Sequence, residues 1–149
     1  MKTVIHVENL EETAKLAETV ASYAKPGFVL CLAGDLGAGK TTFTQFLGAS
    51  MGIEETINSP TFTIMKVYDH SLPLYHIDAY RLEGQTGDFE LEEYIHGDGV
   101  AVIEWYRNIE EYLPAEYLSI EFKWIGETKR QCTIEGSGPY AEIAKTLSN

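Results

Sequence analysis

The sequence predicts an α/β fold in which a mostly parallel central sheet lies between two layers of helices, with an antiparallel hairpin near the C-terminus. Two unbroken apolar runs, at 28–33 and 100–103, are typical of strands buried on both faces, as in a parallel sheet. Segments with helical periodicity alternate with the strand segments along the chain. Alternating segments at 117–124 and 131–135 flank a polar turn and predict the hairpin.

The first helix is predicted from its capping residues and its apolar face. A short strand at 3–7 leads to Asn9, the predicted N-cap. Glu12 stands at the capping-box position of a helix that runs to about residue 23. The residues predicted to form the buried face of this helix are Leu10, Ala14, Ala17, Val20 and Ala21.

The other elements are predicted from apolar periodicity and from residues that end helices. The predicted strands lie at 61–68, 72–78 and 100–103, and the predicted helices lie at 40–51, 89–96 and 140–147. Gly52 and Gly97 end the helices that precede them. Glu104 and Trp105 follow the apolar run at 100–103 and so stand at the C-terminal end of a buried strand, and Pro114 breaks the segment after them.

Length and composition limit the class of protein. With 149 residues and 44% hydrophobic content, the chain is predicted to build one core and therefore one domain, covering 1–149. No segment approaches the roughly 18 consecutive apolar residues of a membrane span, and the N-terminus is a poor signal peptide. Cys31 and Cys132 both lie in strand segments and are predicted to be free thiols in a reducing compartment. The expectation is a cytoplasmic protein without membrane association.

The charge balance argues against direct nucleic-acid binding. The chain has 23 acidic and 11 basic residues, a net charge of −12. Affinity for RNA or DNA begins with Lys and Arg side chains that neutralise phosphates, and this chain has few of them. Two interpretations of the acidic excess stay open: simple solubility, or a negative surface that docks on a basic partner.

The strongest functional signal is a glycine loop between the strand at 28–33 and the helix predicted from residue 40. Its sequence, G-D-L-G-A-G-K-T, has the spacing of a P-loop. The glycines permit positive φ angles and leave backbone amides open to phosphate oxygens at the start of a helix. Lys40 is predicted to reach the β- and γ-phosphates, and the Thr41 hydroxyl is predicted to bind Mg²⁺. The predicted nucleotide-binding residues are Gly34, Asp35, Leu36, Gly37, Ala38, Gly39, Lys40, Thr41 and Thr42.

Two acidic residues end predicted strands, where ligands bind in open α/β sheets. Glu104 is predicted to hold Mg²⁺ directly or through water, with a solvated strand-end acid as the alternative. Asp78 is a candidate for orienting or deprotonating an attacking water, or for contacting a water bound to Mg²⁺, with a turn cap as the alternative. Thr61, in the sequence S-P-T, lies where P-loop switch proteins present a threonine to the γ-phosphate and the metal.

Several classes of nucleotide-binding protein are compatible with this loop. A GTPase is disfavoured because no N-K-x-D string occurs. A small-molecule kinase usually carries an Arg-rich lid, and the 11 basic residues do not cluster as one. An ATPase subunit needs neither feature. A scaffold that binds nucleotide without hydrolysing it would differ only in whether Glu104 and Asp78 take part in chemistry.

Four motifs together resemble the TsaE (YjeE) family, the ATPase component of bacterial tRNA threonylcarbamoyladenosine synthesis. They are the loop at 34–43, S-P-T-F-T at 59–63, H-I-D-A-Y-R-L at 76–82 and I-E-W at 103–105. They occur in the family's order, and the similarity covers essentially the whole chain. The P-loop is shared with many proteins, whereas the combination of the four is specific.

The resemblance implies a P-loop NTPase-like three-layer sandwich that binds ATP and Mg²⁺. Thr41 and Glu104 would bind Mg²⁺, and Lys40 would bind phosphates together with the loop. Thr61 and Asp78 would lie in the first and second switch-like segments. By the same resemblance, the helix start at Leu10 and the turn at Gly126 would lie near the adenine.

The resemblance also implies partners. The family works with a metal-dependent threonylcarbamoyl-transferase and with the inactive paralogue of that enzyme, and its ATP cycle is thought to reset their complex. The family contacts tRNA only indirectly, which agrees with the net charge of −12. The expected protein is a low-turnover Mg²⁺-dependent ATPase, and the sequence leaves self-association of the free protein open.

Overall fold

The structure, a computed structural model, describes residues 2–34, 37–58, 64–80 and 91–147. Its strands are β1 Lys2–Val7, β2 Val29–Gly34, β3 Met65–Tyr68, β4 Leu74–Asp78, β5 Val100–Glu104, β6 Leu118–Trp124 and β7 Arg130–Gly136. Its α-helices are α1 Leu10–Ala21, α2 Lys40–Ser50, α3 Leu91–Ile95 and α4 Pro139–Leu147, and a 3-10 segment covers Tyr106–Tyr112. Among the described residues, no helix combines the length and the apolar character that crossing a membrane requires.

The strands form one sheet in the order β1-β7-β6-β2-β5-β4-β3. The four central strands, β6, β2, β5 and β4, are parallel to one another. Antiparallel pairs flank them on both sides: β7 pairs with β6 and β1, and β3 pairs with β4. The predicted α/β fold with a parallel central sheet and an antiparallel C-terminal hairpin is therefore confirmed, and the sheet has an antiparallel edge at its other end as well.

Helical elements cover both faces of the sheet and give three layers. Alternate side chains of β2 point to opposite faces because the side-chain period of a strand is two. Leu30 and Leu32 join the apolar cluster under α1, α2 and α4. Val29 and Cys31 join the smaller cluster under α3 and the 3-10 segment. The unbroken apolar run that predicted β2 is explained by this burial on both faces.

The start of α1 agrees with the predicted N-cap but not with the predicted capping box. The Glu12 backbone N–H donates to the Asn9 side chain at 3.0 Å. The Glu12 carboxylate accepts from the backbone N–H of Glu8 at 3.0 Å, one residue before the N-cap. In a capping box the Glu12 carboxylate would accept from the backbone N–H of Asn9, and here it accepts from the N–H of Glu8 instead. The helix start still has one hydrogen bond from the N-cap side chain and one to the Glu12 side chain.

The predicted buried face of α1 is partly wrong. Ala17 and Val20 are fully buried as predicted, but Leu10 is 64% exposed. Thr13 and Leu16 are buried although the sequence analysis did not assign them to this face. Leu10 occupies the first turn and lines a cavity beside the glycine loop instead of the core. Periodicity alone could not show that the helix start extends past the packed region.

Several element boundaries differ from the prediction, including the end of α1, which is Ala21 and not residue 23. The strand predicted at 61–68 is β3, Met65–Tyr68, and 61–63 lie outside the described residues. The strand predicted at 72–78 begins at Leu74, because the preceding Pro73 has no N–H to donate to a sheet. The helix predicted at 89–96 is α3, with 89 and 90 outside the described residues. The 3-10 segment after β5 was not predicted.

We expect neither cysteine to react with a thiol reagent while the protein is folded. Cys31 and Cys132 are free, as predicted, and both are buried. Burial raises the pKa of the Cys132 thiol to about 12, and burial also raises the pKa of the Cys31 thiol. Because the thiolate is the reactive form, an aromatic disulfide reagent at pH 8 should modify both thiols in denaturant and neither without it. Rapid modification of the native protein would contradict this packing.

Candidate functional site

The glycine loop joins the end of β2 to the start of α2 at the C-terminal edge of the parallel strands. Gly34, Gly37 and Gly39 have φ angles of 140°, 82° and 116°, a region that favours glycine. A Cβ atom at Gly34 would lie 2.6 Å from the Phe122 carbonyl oxygen of β6. At Gly37 or Gly39 it would meet nothing within 4 Å. Gly34 is therefore required for strand packing, whereas the other two glycines border open space.

The start of α2 has the features of an anion-binding site. Gly39 occupies the N-cap position and has no side chain with which to cap the helix. The first backbone N–H groups of an α-helix have no partner within the helix, and the helix dipole makes this end positive. Thr41 and Thr42, in the first turn, are half-buried, and Thr42 borders the open space beside Gly39. Bare amides, positive potential and room are what phosphate binding needs.

Lys40 folds back across the loop. Its Nζ atom donates a hydrogen bond to the Gly34 carbonyl oxygen at 2.8 Å and lies 4.0 Å from Glu104 Oε1. The same atom is 4.9 Å from the centre of the Trp105 ring. Only 7% of Lys40 is exposed. Its ammonium group is therefore fixed between the loop, a carboxylate and an aromatic face.

Glu104 is the last residue of β5 and is buried, with 4% of its surface exposed. The alternative interpretation of Glu104 as a solvated strand-end acid is therefore wrong. Its Oε2 atom lies 2.7 Å from Nε2 of His76, which is fully buried on the neighbouring strand β4. Its Oε1 atom faces Lys40. Carboxylate and hydroxyl oxygens suit a hard cation such as Mg²⁺, so Glu104 and Thr41 fit this metal chemically.

Asp78 ends β4 directly beside Glu104 in the parallel register of β4 and β5. It is half-buried, and its Oδ1 atom accepts a hydrogen bond from the Tyr80 backbone N–H at 3.0 Å. The turn cap that the sequence analysis gave as the alternative is thus present. The register also brings Asp78 to the edge that carries Glu104 and Lys40, so both interpretations are compatible with this position.

Trp105 has an unusual backbone conformation next to Glu104. Its φ angle is 58°, which for a bulky residue costs roughly 1–3 kcal/mol. The residue is 43% exposed, and its ring packs edge-on against Tyr80, with ring centres 5.0 Å apart. The left-handed turn directs the indole over Lys40. With this exposure, Trp105 is not a core residue.

Two cavities border different parts of the glycine loop and the start of α2. A cavity of about 270 Å³ is bordered by the glycine loop, by Leu10 of α1, by Phe122 and by Thr128 of the β6–β7 turn. A second cavity, of about 380 Å³, is bordered by Lys40, Trp105 and the start of the 3-10 segment. The helix start and the hairpin turn, which were predicted to approach the same ligand, are thus both next to the loop.

Arg130 connects the hairpin to the loop, and the sequence analysis did not identify it. Its Nε atom donates to the Ala38 carbonyl oxygen at 3.0 Å, and its Nη1 atom donates to the Gly126 carbonyl oxygen at 3.4 Å. Its guanidinium carbon lies 5.0 Å from the centre of the Trp124 ring. One side chain thereby holds the loop against the turn that contains Gly126.

His76 is the second residue that the sequence analysis missed. A signal for it exists, because alternation along β4 places His76 and Asp78 on the same face. A polar residue on the buried face of a strand requires a partner. The identity of that partner depends on the register of β4 and β5, which the sequence pattern does not contain.

The structure brings most of the predicted site residues together at one edge of the sheet. Gly34, Gly37, Gly39, Lys40, Asp78 and Glu104 all lie at or beside the C-terminal ends of β2, β4 and β5. Asp35, Leu36 and Thr61 lie outside the described residues.

Comparison with known proteins gives one consistent result. The sequence model of the family described as "Threonylcarbamoyl adenosine biosynthesis protein TsaE" matches residues 7–132. A relative named tRNA threonylcarbamoyladenosine biosynthesis protein TsaE, from Bacillus subtilis (strain 168), is 52% identical over 142 residues, which cover 94% of this chain and 90% of the relative. A relative of the same name from Treponema pallidum (strain Nichols) is 37% identical over 126 residues, which cover 83% of this chain and 93% of the relative. The crystal structure of Bacillus subtilis YdiB superposes with a TM-score of 0.80 at 43% sequence identity, covering 99% of this chain and 95% of that one.

Proposed function

Because this chain belongs to the TsaE family, we propose that it is a Mg²⁺-dependent ATPase subunit required for the threonylcarbamoyladenosine modification of tRNA. The names of its relatives support the pathway. The proposal of ATPase activity rests on the position of Lys40, which is buried between the glycine loop and the carboxylate of Glu104.

In this proposal, residues of the glycine loop and of α2 bind the phosphates of ATP, and residues of α2 and β5 bind Mg²⁺. The amides at the start of α2 and the ammonium group of Lys40 bind phosphate oxygens. The Thr41 hydroxyl and the Glu104 carboxylate would hold the metal. A bound Mg²⁺ would supply positive charge that offsets the negative charge of the phosphate oxygens.

Hydrolysis transfers the γ-phosphoryl group to water and releases ADP and phosphate. Asp78, beside Glu104 on the neighbouring strand, orients this water or accepts its proton. The sequence S-P-T assigns Thr61 to a contact with the γ-phosphate and the metal, in the first of two segments that respond to the nucleotide. The second such segment contains Asp78.

The cavity bordered by Leu10 and Phe122 suits an adenine ring. Its volume of about 270 Å³ is open to the glycine loop, and it has apolar walls at those two residues. The hairpin turn containing Gly126 closes its other side through Arg130. This arrangement supports ATP binding between α1 and the hairpin, with the phosphates on the loop.

We further propose that the protein acts in the cytoplasm as a switch on the complex of the threonylcarbamoyl-transferase and its inactive paralogue. A chain with net charge −12 is poorly suited to binding tRNA directly, so the partners contact the tRNA. ATP binding orders the two nucleotide-responsive segments, and hydrolysis relaxes them.

A small-molecule kinase is a second candidate. The cavity of about 380 Å³ beside Lys40 is bordered by Arg107 and Asn108, which can donate hydrogen bonds to an acceptor. In that case phosphate would be transferred from ATP to a hydroxyl or carboxylate group instead of water.

Measuring ADP and phosphate release by the purified protein tests the proposal. We expect a slow rate alone, a faster rate with the transferase, its paralogue and tRNA, and none when EDTA removes Mg²⁺. ATP binding without hydrolysis in every condition would favour a nucleotide-dependent scaffold. A hydrolysis rate that is unchanged by the transferase, its paralogue and tRNA would contradict the proposed switch function. ADP formation without equal phosphate release in the presence of an acceptor would favour a kinase activity.

A further inference from the structure

His76 occupies a position that core packing alone does not explain. It is fully buried, and the other buried residues on the same face of β4 and β5 include Leu74, Val100 and Val102, all aliphatic. Among the described residues, its Nδ1 atom is buried without a hydrogen-bond partner. An imidazole with an unsatisfied nitrogen costs more free energy at such a position than an aliphatic side chain. A role beyond packing accounts for this cost.

The other ring nitrogen shows what that role is. His76 Nε2 lies 2.7 Å from Glu104 Oε2. An ionised carboxylate only accepts hydrogen bonds, so Nε2 carries the hydrogen and donates it. Nδ1 is then a bare acceptor in the neutral ring, which is cheaper to bury without a partner than an N–H group. Short bonds of this kind to a charged group are among the strongest in proteins.

The bond occupies one oxygen of Glu104 and fixes the other. With Oε2 held by His76, Oε1 faces Lys40 at 4.0 Å on the side of the glycine loop. Without His76, the Glu104 carboxylate would be buried with only a distant charged neighbour and could rotate. A group that donates to a ligating side chain determines its orientation and its basicity.

We propose that His76 is a positioning residue that holds the Glu104 carboxylate so that Oε1 is presented to magnesium. This inference rests on the proposed function, because it assigns Glu104 to the metal. His76 itself touches neither the nucleotide nor the metal. Groups in this position commonly change metal affinity or activity by about 10–100-fold when they are replaced.

The first measurement does not require activity. In protein with ¹⁵N-labelled histidine, the Nε2–H proton of His76 should give a downfield NMR signal that exchanges slowly with water, because the site is dry and the acceptor is charged. The signal should be absent from His76→Leu and shifted or lost in Glu104→Ala. Fast exchange of this proton in the folded wild-type protein would overturn the inference.

The second measurement compares two substitutions by titrating Mg²⁺ into protein and a non-hydrolysable ATP analogue. His76→Leu keeps an apolar side chain without a donor, and it should raise the Mg²⁺ concentration for half-maximal binding by about 10–100-fold. His76→Gln retains an N–H donor and should recover much of this loss. Binding of the analogue in EDTA should be the same in all three proteins. His96→Leu is the matched control, because exposed His96 bonds the Tyr112 carbonyl through Nε2 at 3.0 Å and should leave Mg²⁺ dependence unchanged.

The outcomes separate the inference from the proposed function. If the wild-type protein shows no Mg²⁺-dependent analogue binding, the proposed function fails and the inference fails with it. If the wild type binds and folded His76→Leu has the same Mg²⁺ dependence, only the inference is overturned. Equal losses in the Leu and Gln variants, matched by equal falls in Tm, would show a purely structural role and would also overturn it.

Discussion

Replacing Lys40 with alanine is expected to abolish detectable Mg²⁺·ATP turnover and to weaken ATP binding strongly. Charged hydrogen bonds contribute about 1.5–3 kcal/mol each, so the loss of Lys40 should cost roughly 10–100-fold or more in nucleotide affinity. Loss of a donor that stabilises transition-state charge should lower hydrolysis by a further factor of about 100–1,000. Isothermal titration with ATP in EDTA, combined with phosphate release in Mg²⁺, measures the two effects separately.

The control for Lys40→Ala is Lys15→Ala, which removes the same charge from an exposed position on α1. Lys15→Ala should bind and hydrolyse ATP like the wild type. Thermal unfolding of both variants shows whether the fold is intact. ATP binding by Lys40→Ala at wild-type affinity would mean that the glycine loop is only a structural turn.

The substitution Glu104→Gln is expected to separate hydrolysis from nucleotide binding. The side chain keeps its shape and can still accept from His76, but it no longer offers a charged oxygen to the metal. We expect the Mg²⁺ requirement to rise by about 10–100-fold and the rate at saturating ATP to fall by about 100-fold or more. ATP binding in EDTA should be unchanged or slightly tighter, because the carboxylate no longer repels the phosphates.

Titration of Mg²⁺ at fixed ATP, read as phosphate release and as analogue binding, measures these effects. Glu135→Gln is the matched control, because Glu135 lies 3.7 Å from Lys2 in an exposed ion pair on the opposite edge of the sheet. An exposed pair contributes little to stability, so this variant should behave like the wild type. Hydrolysis by Glu104→Gln at the wild-type rate, with unchanged Mg²⁺ dependence, would show that Glu104 does not bind the metal.

Much of the fold was predictable because its signals are local. Burial on both faces requires an unbroken apolar run, and such runs predicted β2 and β5. The hairpin strands β6 and β7 follow from alternation around a short polar turn. The glycine loop and the helix start at Lys40 depend on φ angles and spacing over a few residues, so the sequence also predicted the centre of the candidate site.

The order of the strands did not follow from such local signals. Neither the pairing of β1 with β7 nor that of β3 with β4 was predicted, although all four strands were. Pairing depends on which edges come together when the helices pack on the sheet, and that is a property of the whole chain. The 3-10 segment after Trp105 was missed because its turns do not repeat with helical periodicity.

The partners of the site residues are likewise non-local. His76 and Glu104 are 28 positions apart, and Arg130 and Ala38 are 92 apart, so no short-range pattern connects them. Local sequence was sufficient to place a lysine, a threonine and two acids at one edge of a parallel sheet. The parallel register of β4 and β5 and the packing of the hairpin on the loop determined which atoms meet there. Contacts between distant segments form only when the core closes, and for that reason the buried environment of Glu104 became visible only in the folded protein.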